Sequence, residues 1–352
     1  MTHGIVTGSV FLTITAIFSL AACHGSSPSL PAQPPTHRDS LPISTCDHVA
    51  NLPVDMGVDN VSSFFLTLRE TCVLRLGHLE CADRFGGNFA TRFENVELAA
   101  GNSKNDRICV LRTNGSLACA DTSNWNYDFW PFSRSLTSWG QHPKRLVLFE
   151  ELIILVGSDN SSRTAHFNPG TDKHGAALLL AVPSSDFGKE PAEELTTAYP
   201  LGGSFLCTLR SGREACTGLV GRETTLTMPS NVVHIGGGCA LLDNGQVACF
   251  GADMASPTEP KILATIPNAK AIATDDGMGG CALLHDGRVS CFGDLGVVFQ
   301  RNGKSPTTEP RTLSSINNVA EIAMLDGRAC MRTAEGRLSC LGCLQLPQSL
   351  KR

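Results

Sequence analysis

Two stretches carry the clearest alternation of apolar and polar segments. Cys239-Ala-Leu-Leu242 is followed by the polar run Asp243-Asn-Gly-Gln246 and then by Val247-Ala-Cys249-Phe-Gly251. Cys281-Ala-Leu-Leu284, His285-Asp-Gly-Arg288 and Val289-Ser-Cys291-Phe-Gly293 repeat it, and a looser copy runs from Cys330 to Gly342. Short apolar runs on either side of a polar, glycine-containing turn predict β-hairpins. Counting inward from Cys239 and Cys249 pairs Ala240 with Ala248, Leu241 with Val247 and Leu242 with Gln246. Asp243-Asn244-Gly245 is left for the loop. A three-residue loop of this kind ends on a left-handed residue, a conformation glycine adopts without steric penalty. Both alternating faces of Ala240-Leu-Leu242 and Ala282-Leu-Leu284 are apolar, so these strands are predicted to be covered on both sides.

The same count applies to six cysteine pairs. Cys109 and Cys119, Cys239 and Cys249, Cys281 and Cys291, and Cys330 and Cys340 leave loops ending on Gly115, Gly245, Gly287 and Gly336. Cys72 and Cys81, and Cys207 and Cys216, leave the two-residue loops Leu76-Gly77 and Ser211-Gly212. In this register every pair faces its partner at a non-hydrogen-bonded site, where Cα atoms are about 4.5 Å apart and a disulfide can form. Six cross-strand disulfides are therefore predicted. The competing reading, reduced cysteines packed as small hydrophobes, suits a reducing compartment.

The first cysteines fall at 72, 109, 207, 239, 281 and 330, and the gap from 109 to 207 is about twice the others. Within it, Glu150-Glu-Leu-Ile-Ile-Leu-Val-Gly157 and Ser162-Arg-Thr-Ala-His-Phe167 read as a hairpin without cysteines. Short strands precede the hairpins, as in Asn231-Val-Val-His-Ile235, Ala269-Lys-Ala-Ile-Ala273, Asn318-Val-Ala-Glu-Ile322 and Asn95-Val-Glu-Leu98. Extended segments such as Pro260-Lys-Ile-Leu263 and Pro310-Arg-Thr-Leu313 lie further upstream. The expected order in one unit is extended segment, short strand, hairpin. Seven such units predict an all-β fold, a seven-bladed β-propeller over 46–346 with cross-strand disulfides in most blades and a degenerate third blade at about 140–195. Cys46 and Cys343 remain at the two ends of the ring and are expected to clasp it. Cys340-Leu-Gly-Cys343 also has the spacing of a redox pair, although no thioredoxin-like βαβ pattern surrounds it.

The unit Val-x-x-Ile … Gly-x-Cys-Ala-Leu-Leu-x-x-Gly-x-Val-x-Cys-Phe-Gly resembles the repeat of the regulator of chromosome condensation family, in its cysteine-paired bacterial form. The resemblance covers about residues 50 to 345 and is strongest in the Cys239 and Cys281 units. Phe250 and Phe292 stand where the family usually has tryptophan, and the Gly-Gln-Leu-Gly ending is missing. The resemblance implies the propeller fold; propellers host unrelated activities, so it implies no single function.

Composition changes the picture in one respect. Fifteen cysteines in 352 residues are too many for a reducing cytosol without metal or redox work. A formal net charge of −5 gives no reason to expect nucleic acid as a partner. The N-terminus supplies the compartment. Ile5 to Leu20 is an uncharged apolar run of signal-peptide length, shorter than a membrane-spanning helix. It ends in Leu20-Ala21-Ala22-Cys23, which resembles the lipobox of bacterial lipoproteins, although no Lys or Arg precedes the run. That resemblance implies cleavage after residue 22, lipid on Cys23 and attachment to a membrane, with His24 favouring the outer one. An ordinary cleaved signal is the alternative. Residues 23–45, with five prolines, read as an extended tether, and 347–352 as a C-terminal tail.

Candidate chemistry is sparse. His166, His234 and His285 fall on strands or turns of the repeat, and Asp243-Asn244 and Asp275-Asp276 read as turn residues. No GxSxG, HExxH or phosphate loop occurs. No catalytic residue, metal ligand or cofactor is assigned. Asn124-Trp-Asn-Tyr-Asp-Phe-Trp-Pro-Phe132 gathers five aromatics in a chain where aromatics make up 6%. Trp125, Tyr127, Phe129 and Trp130 are the candidate binding surface for an envelope protein or glycan; the plainer reading is a loop packing its own small core. The expected function is a lipid-anchored binding or scaffold module of the bacterial cell envelope. An envelope polysaccharide hydrolase or lyase, or an inhibitor of an extracellular enzyme like the propeller-type β-lactamase inhibitory protein, is the alternative.

Overall fold

The computed structural model describes residues 49–83, 88–102, 106–122, 130–131, 142–149, 152–158, 162–166, 194–198, 205–218, 225–227, 229–250, 259–275, 279–293, 309–325 and 327–343. After β1 (Val49–Asp55), the first sheet is β2 (Val61–Leu66), β3 (Glu70–Arg75), β4 (His78–Asp83) and β5 (Ala90–Glu94). The second is β6 (Val96–Asn102), β7 (Arg107–Arg112), β8 (Leu117–Asp121) and β9 (Trp130–Pro131). β10 (Pro143–Phe149), β11 (Leu152–Gly157) and β12 (Ser162–His166) form the third, cysteine-free sheet. The fourth is β13 (Glu194–Ala198), β14 (Phe205–Arg210), β15 (Arg213–Gly218) and β16 (Thr225–Thr227). The fifth is β17 (Val232–Gly236), β18 (Cys239–Leu242), β19 (Gln246–Cys249) and β20 (Lys261–Thr265). The sixth is β21 (Ala269–Asp275), β22 (Gly279–Leu284), β23 (Val289–Gly293) and β24 (Arg311–Leu313). In the seventh, β25 (Val319–Leu325), β26 (Arg328–Thr333) and β27 (Leu338–Cys343) are joined by β1 as the outer strand.

Every sheet is antiparallel, and its strands lie in chain order except at β1. The first strands β2, β6, β10, β13, β17, β21 and β25 each touch the next, and β25 touches β2. They form the inner ring of a β-propeller. The cysteine-bearing hairpin strands sit in the middle of each four-stranded sheet. Those of β18 and β22 are buried along their whole length, as expected for strands sandwiched between neighbouring sheets.

One boundary differs from the expectation. Lys261–Thr265 and Arg311–Leu313 pair with the third strands β19 and β23, so each completes the preceding sheet instead of opening the next. The order is short strand, hairpin, extended strand. Local pattern could not show this, because the partner of each of these two outer strands is its predecessor across an intervening connection of eleven residues or more.

The turns follow the count made on the sequence. Gly115, Gly245, Gly287 and Gly336 have φ of +77°, +80°, +79° and +82°. In the two-residue loops both members are left-handed, including Leu76 at +49° and Ser211 at +48°. Disulfides join Cys72–Cys81, Cys109–Cys119, Cys207–Cys216, Cys239–Cys249, Cys281–Cys291 and Cys330–Cys340. Their Cα atoms are 3.9 Å to 4.1 Å apart. Cys340 is thereby committed to Cys330 and does not form a redox pair with Cys343. Cys46 and Cys23 lie outside the described residues.

Candidate interaction face

Alternating strand direction divides the links between strands into two sets. Links from second to third strand, and from the fourth strand to the next sheet, open on one face. Links from first to second and from third to fourth open on the other.

On the first face, backbone hydrogen bonds join neighbouring sheets. Asn60, Asn95, Asn231, Asn268 and Asn318 precede inner strands and have φ between +56° and +69°, a conformation asparagine tolerates better than most residues. The amide after four of them donates to the hairpin glycine of the preceding sheet. These bonds are Val96 N to Gly77 O at 2.8 Å, Val232 N to Gly212 O at 2.9 Å, Val319 N to Gly287 O at 2.8 Å and Val61 N to Gly336 O at 2.9 Å. The carbonyls of Asn95, Asn231, Asn268 and Asn318 accept from Thr113 N, Asp243 N, His285 N and Ala334 N in the turn of their own sheet. At Asn95, Asn231 and Asn318 both bonds are present, so each of these steps stitches one turn to the next. Links on this face run from one to five residues, apart from 132–142. The repeated Asn-Val dipeptide was visible in the sequence, but its role depends on a turn that can lie more than 250 residues away.

On the opposite face, the third-to-fourth links span 84–89, 122–129, 219–224, 250–260 and 294–310. The last two are long, and only 132–142, on the first face, and 167–193, between β12 and β13, compare with them. Trp130 and Pro131 form β9, paired with Cys119 and Ala118 of β8. Trp125, Tyr127 and Phe129 lie outside the described residues.

Among the described residues, the buried charges Arg328, Glu70 and Asp106 lie at the ends of strands on this second face, around the first sheet, while Glu80 and Glu214 lie beside hairpin turns on the first face. Arg328, 1% exposed, donates from Nη1 to Thr71 Oγ1 and from Nη2 to Thr67 O, both at 2.7 Å. It joins the seventh sheet to the first across 257 residues of sequence. Glu70, buried beside Thr71, pairs with Arg92 at 3.3 Å. Arg69 Nε donates to Asp106 Oδ2 of the second sheet at 2.9 Å. Burial pushes the Asp106 carboxyl above its ordinary value, and Arg69 only partly offsets that. Burial likewise raises Glu321, against the pull of Arg332 at 2.8 Å. No sequence motif marks Arg328 or Asp106, since their partners come from other sheets.

Two further groups have a metal-like makeup. Glu70 with Cys72 and Cys81, and Glu214 with Cys207 and Cys216, place their ligand atoms within 4.8 Å of one another. In both, the sulfurs are bonded to each other, so neither offers the thiolates a metal would need. Among the histidines, His234 Nδ1 accepts from Ile272 N of the sixth sheet at 3.3 Å, and His285 is an exposed turn residue. Asp243 and Asn244 lie in the turn between β18 and β19.

No family model matches the chain, and no curated protein matches it in sequence. Solved structures do. It is similar to PorZ, a bacterial surface component of the type-IX secretion system of Porphyromonas gingivalis, at a TM-score of 0.50 and 12% identity. That match covers 85% of this chain and 38% of PorZ, so this chain corresponds to well under half of that protein. The Swd1 (Cps50) β-propeller domain from Myceliophteria thermophila is similar at 0.50 and 9% identity, over 82% of this chain and 99% of that one. Human WBSCR16 is similar at 0.50 and 10% identity, over 84% and 88%. At these identities the likeness is one of fold.

Proposed function

We propose that this protein is a lipid-anchored binding or scaffold module outside the cytoplasm, a seven-bladed propeller of the cysteine-paired regulator of chromosome condensation type. Its partner is a protein or glycan of the cell envelope, and it binds on the face where the third-to-fourth connections open. The observation that carries this reading is the difference between the two faces. One carries glycine turns and asparagine stitches whose residues are committed to backbone geometry. The other receives the connections free to vary, which is where recognition residues sit on a rigid scaffold. Six disulfides suit an oxidising compartment, and a surface component among the structural relatives agrees with that placement. Cys23 is the lipid attachment point, and Trp125, Tyr127, Phe129 and Trp130 supply the aromatic anchors that dominate such interfaces.

The test is capture of partners from envelope extract by the wild type and by the Trp125→Ala/Trp130→Ala variant. Loss of a defined partner by the variant, with thermal stability unchanged, supports the reading. Retention of every partner removes the aromatic anchor from it. Metabolic labelling with palmitate should stop in Cys23→Ser, and continued labelling would contradict the lipid anchor.

A further inference from the structure

Among the described residues, asparagine precedes glycine twice, at Asn114-Gly115 and Asn244-Gly245. Both dipeptides end three-residue hairpin loops on the first face, and in both the asparagine is exposed. A glycine nitrogen has no side chain beside it to block its approach to the carboxamide before it. When that nitrogen attacks the carboxamide carbon, a succinimide ring closes. We propose that Asn114 is a site of spontaneous modification, converted through a succinimide to aspartate and isoaspartate, and that the matching turn at Asn244 is protected.

The two turns share a backbone and differ in what restrains them. Gly115 N donates to Arg112 O at 2.8 Å and Gly245 N to Leu242 O at 2.9 Å, so the attacking nitrogen is engaged alike in each. Beyond that, Asn244 is held at both ends of its carboxamide. Its Oδ1 accepts from Gln246 N and its Nδ2 donates to Gln246 Oε1, each at 3.0 Å. Gly245 is fixed as well. Ile266 N donates to Gly245 O at 2.7 Å, and a Cβ on Gly245 would stand 2.7 Å from Ile266 O. Ring closure requires the glycine to swing, and at Gly245 that movement must first break the contact with Ile266. A Cβ on Gly115 would meet no described atom within 4 Å. Asn114 is held through its oxygen alone, in the local bonding to the backbone two residues on that asparagine favours in turns. Oδ1 accepts from Ser116 N at 2.9 Å and from Ser116 Oγ at 2.7 Å. Negative charge builds on this oxygen as the nitrogen adds, so both donors stabilise the reacting state.

In the reaction Gly115 N gives up its proton and bonds to Asn114 Cγ. The Cγ–Nδ2 bond then breaks, and the nitrogen leaves as ammonia with that proton. Water opens the ring at either carbonyl: breaking the bond to Cγ gives aspartate, and breaking the bond to the backbone carbonyl gives isoaspartate. One water is consumed and one ammonia released, and the chain gains a negative charge. Aspartate suits the turn. Asp286 holds the same place before Gly287, and its Oδ1 accepts from Arg288 N at 3.0 Å, as Asn114 Oδ1 does from Ser116 N. Isoaspartate lengthens the backbone between Thr113 and Gly115 by a methylene, which displaces the Gly115 N to Arg112 O and Arg112 N to Ser116 O bonds that close the loop. The Cys109–Cys119 bridge keeps β7 and β8 joined, so the disturbance stays in the turn.

The experiment incubates the full folded, oxidised chain at neutral pH and body temperature and follows each asparagine by peptide mapping and mass spectrometry. Isoaspartate is told from aspartate by labelling with an isoaspartyl methyltransferase. Asn114 should convert at least about tenfold faster than Asn244, because the Asn244 turn must open locally before it can react. In the reduced chain unfolded in denaturant the two should convert at similar rates. No conversion at Asn114, equal rates in the folded chain, or a difference that persists after unfolding overturns the proposal. Ser116→Ala should slow conversion at Asn114 several-fold and leave Asn244 unchanged. An unchanged or faster rate in that variant would overturn the part given to the Ser116 hydroxyl.

Discussion

The junction between the fifth and sixth sheets and the junction between the seventh and first solve the same packing problem with different chemistry. At the first, small residues bring backbones together. A Cβ on Gly236 would run into Ile272 O, and one on Gly237 would lie 2.5 Å from Thr274 Oγ1. Thr274 Oγ1 donates to Gly236 O at 2.5 Å, and the rest is apolar, with Leu241, Ile272, Ala282 and Phe292 in one cluster. At the second, a fully buried arginine reaches across to a threonine hydroxyl and a carbonyl, and a strand from the other end of the chain completes the sheet. The fifth and sixth sheets are joined by the three residues Ile266–Asn268, so the chain itself holds them close. The first sheet is likewise linked to β1 by residues 56–60, but β1 has no short link to β25, β26 and β27, which form the rest of the seventh sheet. Closing a loop of nearly the whole chain carries an entropic penalty that contacts must offset. Charge-assisted hydrogen bonds and an added strand belong where connectivity gives no help.

The largest expected effect comes from removing the arginine. Arg328→Ala leaves Thr67 O and Thr71 Oγ1 buried without it and should lower stability by about 3 kcal/mol in denaturant unfolding. Arg328→Lys should recover little, because one ammonium cannot span both acceptors as the guanidinium fork does. If Arg328→Ala is nearly neutral, the seam is closed by something else. Gly236→Ala tests the other junction. Overpacking against Ile272 should cost about 2 kcal/mol, and a smaller loss would mean that the fifth and sixth sheets can move apart.

Much of this contrast was beyond the sequence. The hairpins were legible because all their determinants lie within ten or eleven consecutive residues: paired cysteines, two-sided apolar runs and a closing glycine. The cysteine-free hairpin of the third sheet was legible for the same reason, from Leu152-Ile-Ile-Leu-Val156 and the short strand beginning at Ser162. What joins sheets was not. Lys261–Thr265 went to the wrong sheet because its partner β19 is separated from it by a connection of uninformative length. Arg328 carried no signal, since an isolated arginine after a glycine has the same appearance on a solvated turn. The asparagine steps were seen as strand starts, whereas their left-handed φ is fixed by turns on neighbouring sheets. The candidate binding residues were chosen by composition, and of these the structure places the backbone of Trp130 in β9.

Left-handed asparagine steps occur at both junctions, Asn268 at the first and Asn60 at the second, so such steps sharpen the comparison from the side of what is shared. Asn318→Val puts a β-branched residue at φ +56° and should cost about 1–2 kcal/mol. The loss should be similar for Asn95→Val, the corresponding step between the first and second sheets. A much greater loss at one of them would show that the stitches are unequal.

The smallest expected effect is on pH dependence. Asp106, near the seam, has a carboxyl raised above 3.8 by burial. A raised carboxyl binds its proton more tightly folded than unfolded. Its contribution therefore favours the folded state at pH below the unfolded value, and is lost as pH rises through the folded one. Asp106→Asn should flatten the change in melting temperature between pH 7 and pH 4; an unchanged slope would assign that change to other groups.

Closure of the ring is read most directly at the Val61 amide, which donates to Gly336 O from the opposite end of the chain. Native-state hydrogen exchange should show Val61 exchanging only through global unfolding, together with the amides of the central strand β18. If Val61 exchanges as an unprotected amide while β18 stays protected, the ends of the chain do not meet and the ring is open.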